Sequence, residues 1–461
     1  MRNITCRKAM ASGALALLMV ACSGSDIAAP PDPDPVVKAV KAEAAAQWQD
    51  MILSAFKRSR FNTPTYASRS LGYLGLAMYE SVVNGDSAHV SMSGQLNGLT
   101  LPKPDATKTY RWELSMNAAM DTLLKLLYPV PDNAPPVVHA DIDSVYQGIR
   151  AKYAANLDPA IEARSVQFGL DIALALYQWS LTDGGHRGFT RNFDPTFVFP
   201  IGPSYWVPPF RGQSVSGLPL HPYWGQNRTF LVADSNIAIP PIEPYSTAPT
   251  STYYTMFRDI YAHDAQLTRA ERETAAWWGD DPSETASPPG HSFYITGIAV
   301  AKTDASLVAA AEAFARTGMA VADAFIHVWK VKYRYFNERP SSYAKANFDP
   351  AFRQFWPEPP FPAFPSGHSI QSAAAATVQA AVFGNNFAFT DRLHEGHRRT
   401  DDPRFLDLTY PARRFNSFMQ AALECGNSRL LGGIHTVQDN DAGRLDGITI
   451  GQHVNQLKWT K

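Results

Sequence analysis

Apolar positions recur at intervals of three and four through most of this chain, the repeat of one buried helix face. Trp48, Ile52 and Phe56 place such a face on a helix within Val36 to Arg60. Thr63-Pro64 offers a cap and a first-turn proline, and Leu71, Leu74, Met78 and Val82 carry the next helix to Asn84-Gly85. Trp112, Met116, Met120, Leu123 and Leu127 predict a third, ended by Pro129. Val166, Leu170, Leu174, Tyr177 and Leu181 predict a fourth, ended by Gly184-Gly185. No strand-like alternation interrupts this half. The pattern lapses from Phe189 to Thr250, where Tyr205, Trp206, Phe210, Tyr223, Trp224 and Phe230 follow no helical period among many prolines. A stretch this long without a period is functional or disordered, and its aromatic content argues for an ordered wrap, either the wall of a pocket or a structural strap.

Helical spacing resumes near Thr252, and Glu271 to Trp278 runs into Gly279-Asp280-Asp281-Pro282 and then Pro288-Pro289-Gly290-His291. Thr303 or Asp304 is placed to cap a helix bearing Leu307, Ala311, Phe314, Val321, Phe325 and Trp329, with Gly318 on the same stripe to admit a neighbouring helix closely. Pro365 leads into an alanine-rich helix over Ser369 to Phe383; Asn385 to Pro411 is polar and charged. Phe415 to Cys425 is helical up to Gly426-Asn427, and a last helix starts near His435, with Gly443, Gly447 and Gly451 four apart on one face. The expected fold class is all-α: helical layers in two bundles, the C-terminal one carrying nearly all the candidate ligands.

Composition narrows the function classes. The 461 residues are 45% apolar and 18% charged with a formal net charge of -1, a globular chain whose bulk field attracts neither nucleic acid nor acidic membrane. Any anion site must be a local cluster. No internal run is long and apolar enough to span a bilayer, so membrane attachment would run only through a lipid anchor. Arg2, Arg7 and Lys8 precede the apolar Ala11 to Val20, and Val20-Ala21-Cys22 looks like a lipoprotein signal with Cys22 the acylated first mature residue. The expected division is a signal peptide at 1–21, a flexible tether at 22–36, an N-terminal helical region at 37–185, the wrap at 186–250 and a catalytic helical region at 251–461. The expected location is the cell envelope after export, at the outer membrane or facing the periplasm. With Cys6 removed and Cys22 acylated, Cys425 stands alone and the fold is built without disulfides.

The candidate chemistry gathers in three pieces. Pro365-Ser366-Gly367-His368 puts a capping hydroxyl, bare backbone and an imidazole at a helix N-terminus, a ready-made oxyanion site. Lys332 and Arg339, seven residues apart, add a point charge and a planar fork suited to two oxygens of a tetrahedral oxyanion. In Ser428-Arg429-Leu430-Leu431-Gly432-Gly433-Ile434-His435 an arginine precedes a histidine by six, and Asp439 lies one helical turn beyond His435. A carboxylate there can accept the Nδ1 proton and leave Nε2 free to attack phosphorus or to ligate a metal.

Taken together, Lys332, Arg339, Ser366, Gly367, His368, Arg429 and His435 resemble the three-block signature shared by type 2 phosphatidic acid phosphatases and vanadium-dependent haloperoxidases. The resemblance covers Lys332 to Asp439 directly. It implies a helical-bundle fold in which Lys332, Arg339, Ser366, Gly367 and Arg429 hold the oxyanion. In the phosphatase branch, an acid phosphatase acting on a phosphate monoester, His435 would form a phosphohistidine and His368 would protonate the leaving group. In the haloperoxidase branch vanadate fills the cage, which phosphate could also occupy. There His435 binds the metal, His368 assists proton transfer as hydrogen peroxide binds, and halide is oxidised. Phe361 in Phe361-Pro362-Ala363-Phe364 is similar to the halide-side aromatic of chloroperoxidases, and Trp329 matches another. Trp277 to Asp280 resembles the segment whose aspartate pairs with the last cage arginine, which would join Asp280 to Arg429. Met78-Tyr79, Asp183-Gly184 and Tyr223-Trp224-Gly225 are similar to exported bacterial relatives of the chloroperoxidases. Three readings follow: a vanadate-dependent haloperoxidase first, an acid phosphatase second, and a non-catalytic envelope protein that binds phosphate or a partner third.

Overall fold

The computed structural model describes residues 41–209, 212–213, 216–282, 284–400 and 402–461; the signal, the tether and Cys22 lie outside them. In chain order the helices are α1 (Glu43–Arg58), α2 (Pro64–Glu80), α3 (Trp112–Leu127), α4 (Pro136–Tyr153), α5 (Pro159–Ser180), α6 (Val232–Ser235) and α7 (Thr252–Asp264). They continue with α8 (Arg269–Trp277), α9 (Ser287–Lys302), α10 (Leu307–Tyr335), α11 (Pro340–Asn347), α12 (Gly367–Phe383), α13 (Phe418–Leu431) and α14 (Val437–Gln456). The strands β1 (Phe389–Asp391) and β2 (Arg413–Phe415) form one antiparallel pair with Phe389 opposite Phe415. The fold is all-α apart from that pair, and the described residues belong to one unit, Val37–Lys461.

Local rules account for most boundaries. The Thr63 hydroxyl accepts from Tyr66 N with Pro64 in the first turn, and Ser366 caps α12 by accepting from Ser369 N. Two helices, α4 and α9, lie where the spacing gave no expectation, and two expectations are corrected. Helix α4 has no strong stripe, burying only Val138, Ile142 and Ile149. Pro288 and Pro289 do not break the chain but begin α9, where their missing N–H groups cost nothing. Ser306, not Thr303 or Asp304, caps α10. Helix α13 passes through Gly426 and ends at Leu431.

The 29-residue α10 is the central strut, packed along α2, α9, α12 and α14. Glycines set two close seams around it. A Cβ on Gly318 would lie 2.3 Å from the Leu71 carbonyl oxygen, and one on Gly447 would lie 2.2 Å from that of Ile370. A methyl at either place would force the helices apart, at a cost of roughly 1–3 kcal/mol. The second seam locks the start of α12 beside the start of α14, where Ser366 N donates to the Asp439 carbonyl at 2.8 Å. A large core surrounds α10, and a smaller one around α13 is built from Trp277, Trp278, Phe355, Trp356 and Phe389. Helix α12 contributes to both.

The described residues within 189–250 contain only short helical turns and α6. They run along α10: Leu220 O accepts from Trp329 Nε1 at 3.1 Å and from the Tyr333 hydroxyl, and a Cβ on Gly225 would lie 2.3 Å from Lys330 N. Gln213 N and Leu220 N donate to Glu358 O and Pro360 O, both at 2.8 Å. The wrap is therefore bonded to the segment that enters the Pro365 turn. No helix among the described residues is long and apolar enough to cross a membrane.

Candidate active site

Lys332 sits in the last turn of α10, Arg339 just before α11, Ser366 to His368 at the start of α12, Arg429 in the last turn of α13, and His435 just before α14. Five helix ends thus bring the three blocks into one buried site. Lys332, Arg339, Ser366 and Arg429 have no exposed surface, and His435 is 2% exposed. His435 feels the charges of Arg339, Lys332, Arg429 and His368 together.

Their donors are unevenly spent. Lys332 Nζ donates to the carbonyls of Pro362 at 2.9 Å, Ala363 at 2.6 Å and Pro365 at 2.5 Å, pinning the chain that enters α12. Arg339 Nη2 donates to Phe361 O at 2.8 Å, and its Nη1 to Ile434 O at 2.9 Å and His435 Nε2 at 3.1 Å. Arg429 Nη1 donates to Trp278 O at 3.0 Å, while its Nε and Nη2 are buried without a partner. His368 bonds the same Trp278 carbonyl, and its Nε2 is buried and unpartnered. A Cβ on Gly367 would meet nothing within 4 Å, so open space adjoins the α12 N-terminus.

His435 Nδ1 lies 3.2 Å from Asp439 Oδ2, which also accepts from Thr436 N at 2.8 Å. That carboxylate fixes the proton on Nδ1 and leaves Nε2 as the acceptor seen towards Arg339. Burial pushes both imidazoles well below the usual histidine range, helped at His435 by the nearby Arg339 and at His368 by Arg429. Burial and the Arg339 charge likewise hold Lys332 well below the usual lysine range, and burial lowers Arg339 to about 10. The cause is common to all: desolvated cations with too little negative charge among them, which an oxyanion would supply.

Phe361 closes one side. Its ring centroid lies 5.3 Å from both Lys332 Nζ and Arg339 Cζ, and 4.9 Å from the Trp329 ring. The two aromatics named in the sequence therefore do meet beside the cations.

Asp280 is a correction. It does not pair with Arg429: His291 Nδ1 lies 2.8 Å from its Oδ2 and His394 Nε2 lies 2.7 Å from its Oδ1, so both oxygens are taken. Arg429 turns instead to the Trp278 carbonyl. Asp281 pairs with Arg399 at 2.9 Å, and burial still pushes its carboxyl up to about 6. Sequence reading passed over His291, Asp391 and His394. The Pro-Pro pair ahead of His291, a helix-start signal, would have placed that histidine on a buried first turn.

The family model of the VCPO second helical-bundle domain matches residues 312–459, the span that holds the cage. A crystal structure described as the first bacterial vanadium-dependent iodoperoxidase superposes with a TM-score of 0.76 at 29% identity, covering 93% of this chain and 98% of that one. These matches support a place in the vanadium haloperoxidase superfamily. Holo and apo crystal structures of a bacterial vanadium-dependent chloroperoxidase share the superfamily fold with a TM-score of 0.65 each. They stand at 16% and 15% identity, covering 86% and 87% of this chain and 92% and 94% of theirs. No curated protein sequence matches the chain.

Proposed function

We propose that this chain is a vanadate-dependent haloperoxidase that oxidises halide with hydrogen peroxide. The observation that carries the reading is a buried site where three cations and two unprotonated imidazoles converge while Arg429 Nε and Nη2 and His368 Nε2 lack partners. The two orphan Arg429 donors, with the open space at Gly367, fit a tetrahedral oxyanion, and the unpartnered His368 Nε2 is left to accept a proton. Lys332, Arg339, Arg429 and the α12 N-terminus would hold vanadate, with His435 Nε2 as the protein's nitrogen ligand. When bound, vanadate supplies Lewis-acid activation of peroxide without changing its own oxidation state. His368, kept neutral by burial, accepts a peroxide proton at Nε2 and returns it later. Asp439 holds the His435 tautomer, and Phe361 with Trp329 keeps the halide side apolar and poor in water. Iodide is the first halide to try, because the 29% identical neighbour is an iodoperoxidase.

The test uses purified protein with and without added vanadate. Halide- and peroxide-dependent halogenation of a phenol that vanadate activates supports the reading. Release of phosphate from p-nitrophenyl phosphate that vanadate inhibits would replace it with the phosphatase. Export with a lipid anchor on Cys22 belongs to the same proposal, and palmitate labelling that survives Cys22→Ala would refute it.

A further inference from the structure

Behind Trp278, which stacks on His291 with ring centroids 4.5 Å apart, lies a second buried polar cluster that the cage chemistry does not use. We propose that Asp280, His291 and His394 form a binding site for one divalent first-row transition ion. One donor atom from each of these buried residues lies within 4.8 Å of the others. They come from three separate stretches: the turn after α8, the first turn of α9, and the turn after β1. Two imidazoles and a carboxylate form a donor set of borderline hardness, suited to zinc, iron or cobalt rather than to calcium or magnesium.

The surroundings are those of a ligand-orienting shell. His291 uses Nδ1 towards Asp280, and its Nε2 lies 2.7 Å from Asp391 Oδ2. A metal-bound histidine ordinarily gives its far N–H to such a carboxylate, which fixes the tautomer and strengthens the ligand. Asp391 is itself held, by Trp277 Nε1 at 3.3 Å and Leu393 N at 2.9 Å. Charge points the same way. Two buried carboxylates, Asp280 and Asp391, face two histidines, and among the described residues no lysine or arginine hydrogen-bonds either one. A divalent ion would balance them in place of a protonated imidazole. A gap of about 10 Å³ beside Asp280 and His394 has room for about one water, a further ligand. The ion's role would be to clamp the turn after α8 and the turn after β1 to α9, behind the Trp278 carbonyl that orients Arg429 and His368. Closing donors onto an ion at about 2.0–2.2 Å draws the nitrogens together, and His394, on a turn rather than a helix, is the member able to move.

The full chain, stripped with chelator, loaded with zinc chloride and desalted, should retain about one zinc per chain by elemental analysis. His394→Ala should retain none, and Asp391→Asn should bind roughly 10–100-fold more weakly. Equal retention by wild type and His394→Ala, or no stoichiometric retention by wild type, overturns the proposal. A measurement on wild type alone does not depend on a variant folding: zinc should raise the midpoint of thermal unfolding and chelator should reverse it. An unchanged midpoint overturns the site. The readouts are independent of halide oxidation, so failure here leaves the cage reading intact.

Discussion

Two buried polar sites lie on either side of Trp278, and they are opposites. In the cage, Lys332, Arg339 and Arg429 are desolvated and held below their usual ranges despite the carboxylates Asp439, Glu358, Asp280 and Asp281 around them, and donor atoms of Arg429 are left without acceptors. In the Asp280–His291–His394–Asp391 cluster the carboxylates lead and their oxygens are hydrogen-bonded. There the flanking carboxylates lift the His291 imidazole to about 10, while in the cage burial and like charge push His368 and His435 down. The same residue type thus takes opposite protonation states a short distance apart. Each unsatisfied buried donor costs about 1–3 kcal/mol that a guest could recover, so the cage reads as a binding site by its deficits. The cluster holds together without one.

The largest expected effects fall on the cage. His435→Ala should abolish vanadate retention and lower turnover on the order of 10³-fold. His368→Ala should spare retention more than turnover, because it holds the oxyanion less than it moves protons. Equilibrium dialysis and steady-state rates on the pair check this, and equal retention by both variants would overturn the division of roles. Next comes Asp280→Asn in the cluster. Removing one charge from a buried, mutually paired group should destabilise metal-free protein by about 3–5 kcal/mol, measured by urea unfolding. A loss well under 1 kcal/mol would mean the cluster is hydrated and the contrast false.

Arg429→Met sharpens the comparison from the other side. It should cost about 10²–10³ in turnover, yet stabilise vanadate-free protein by roughly 1–4 kcal/mol, since it removes a buried charge whose Nε and Nη2 have no partner. Opposite signs for Asp280→Asn and Arg429→Met in ligand-free unfolding are the signature of one satisfied and one unsatisfied site. Two losses would show that the cage already carries a resident anion.

How far the sequence displayed all this differs between the two sites. Arg339, Ser366, Gly367, His368 and His435 were legible because each sits at a helix start whose boundary is local: a proline after Arg339, a serine cap at 366, a four-residue step from His435 to Asp439; Arg429 and Lys332 were legible only by their place in the three blocks. Gly447 and Gly318 likewise announced the close seams they make. The cluster was hidden, because its members are joined by tertiary packing alone. Asp391 is on a three-residue strand and His394 on a turn inside a polar stretch without a period. Asp280 was seen but given the wrong partner, since motif spacing does not show that two imidazoles lie closer than Arg429. Helix α4 escaped for a related reason, its narrow stripe being too sparse to register against a polar background.

The smallest expected effect tests whether the cage has another counter-charge. Glu338 adjoins Arg339 in the chain, and the Tyr253 hydroxyl donates to its Oε1 at 2.9 Å. Burial raises its carboxyl from 4.5 to about 7, more than the Tyr253 bond lowers it. Because the folded state holds this proton more tightly, it binds more protons than the unfolded chain between the two values. Stability therefore falls as pH rises through that window, and the penalty is complete above pH 7. Glu338→Gln carries no such proton, so its stability relative to wild type should rise by about 1–3 kcal/mol between roughly pH 5 and pH 8. Urea midpoints at the two ends, without vanadate or added metal, give the difference. A variant whose advantage does not change with pH would mean that Glu338 is already ionised at the lower value. Arg339, which already feels Glu358 and Asp439, would then have a third carboxylate next to it in the chain, and the pull of the cage on an oxyanion would weaken.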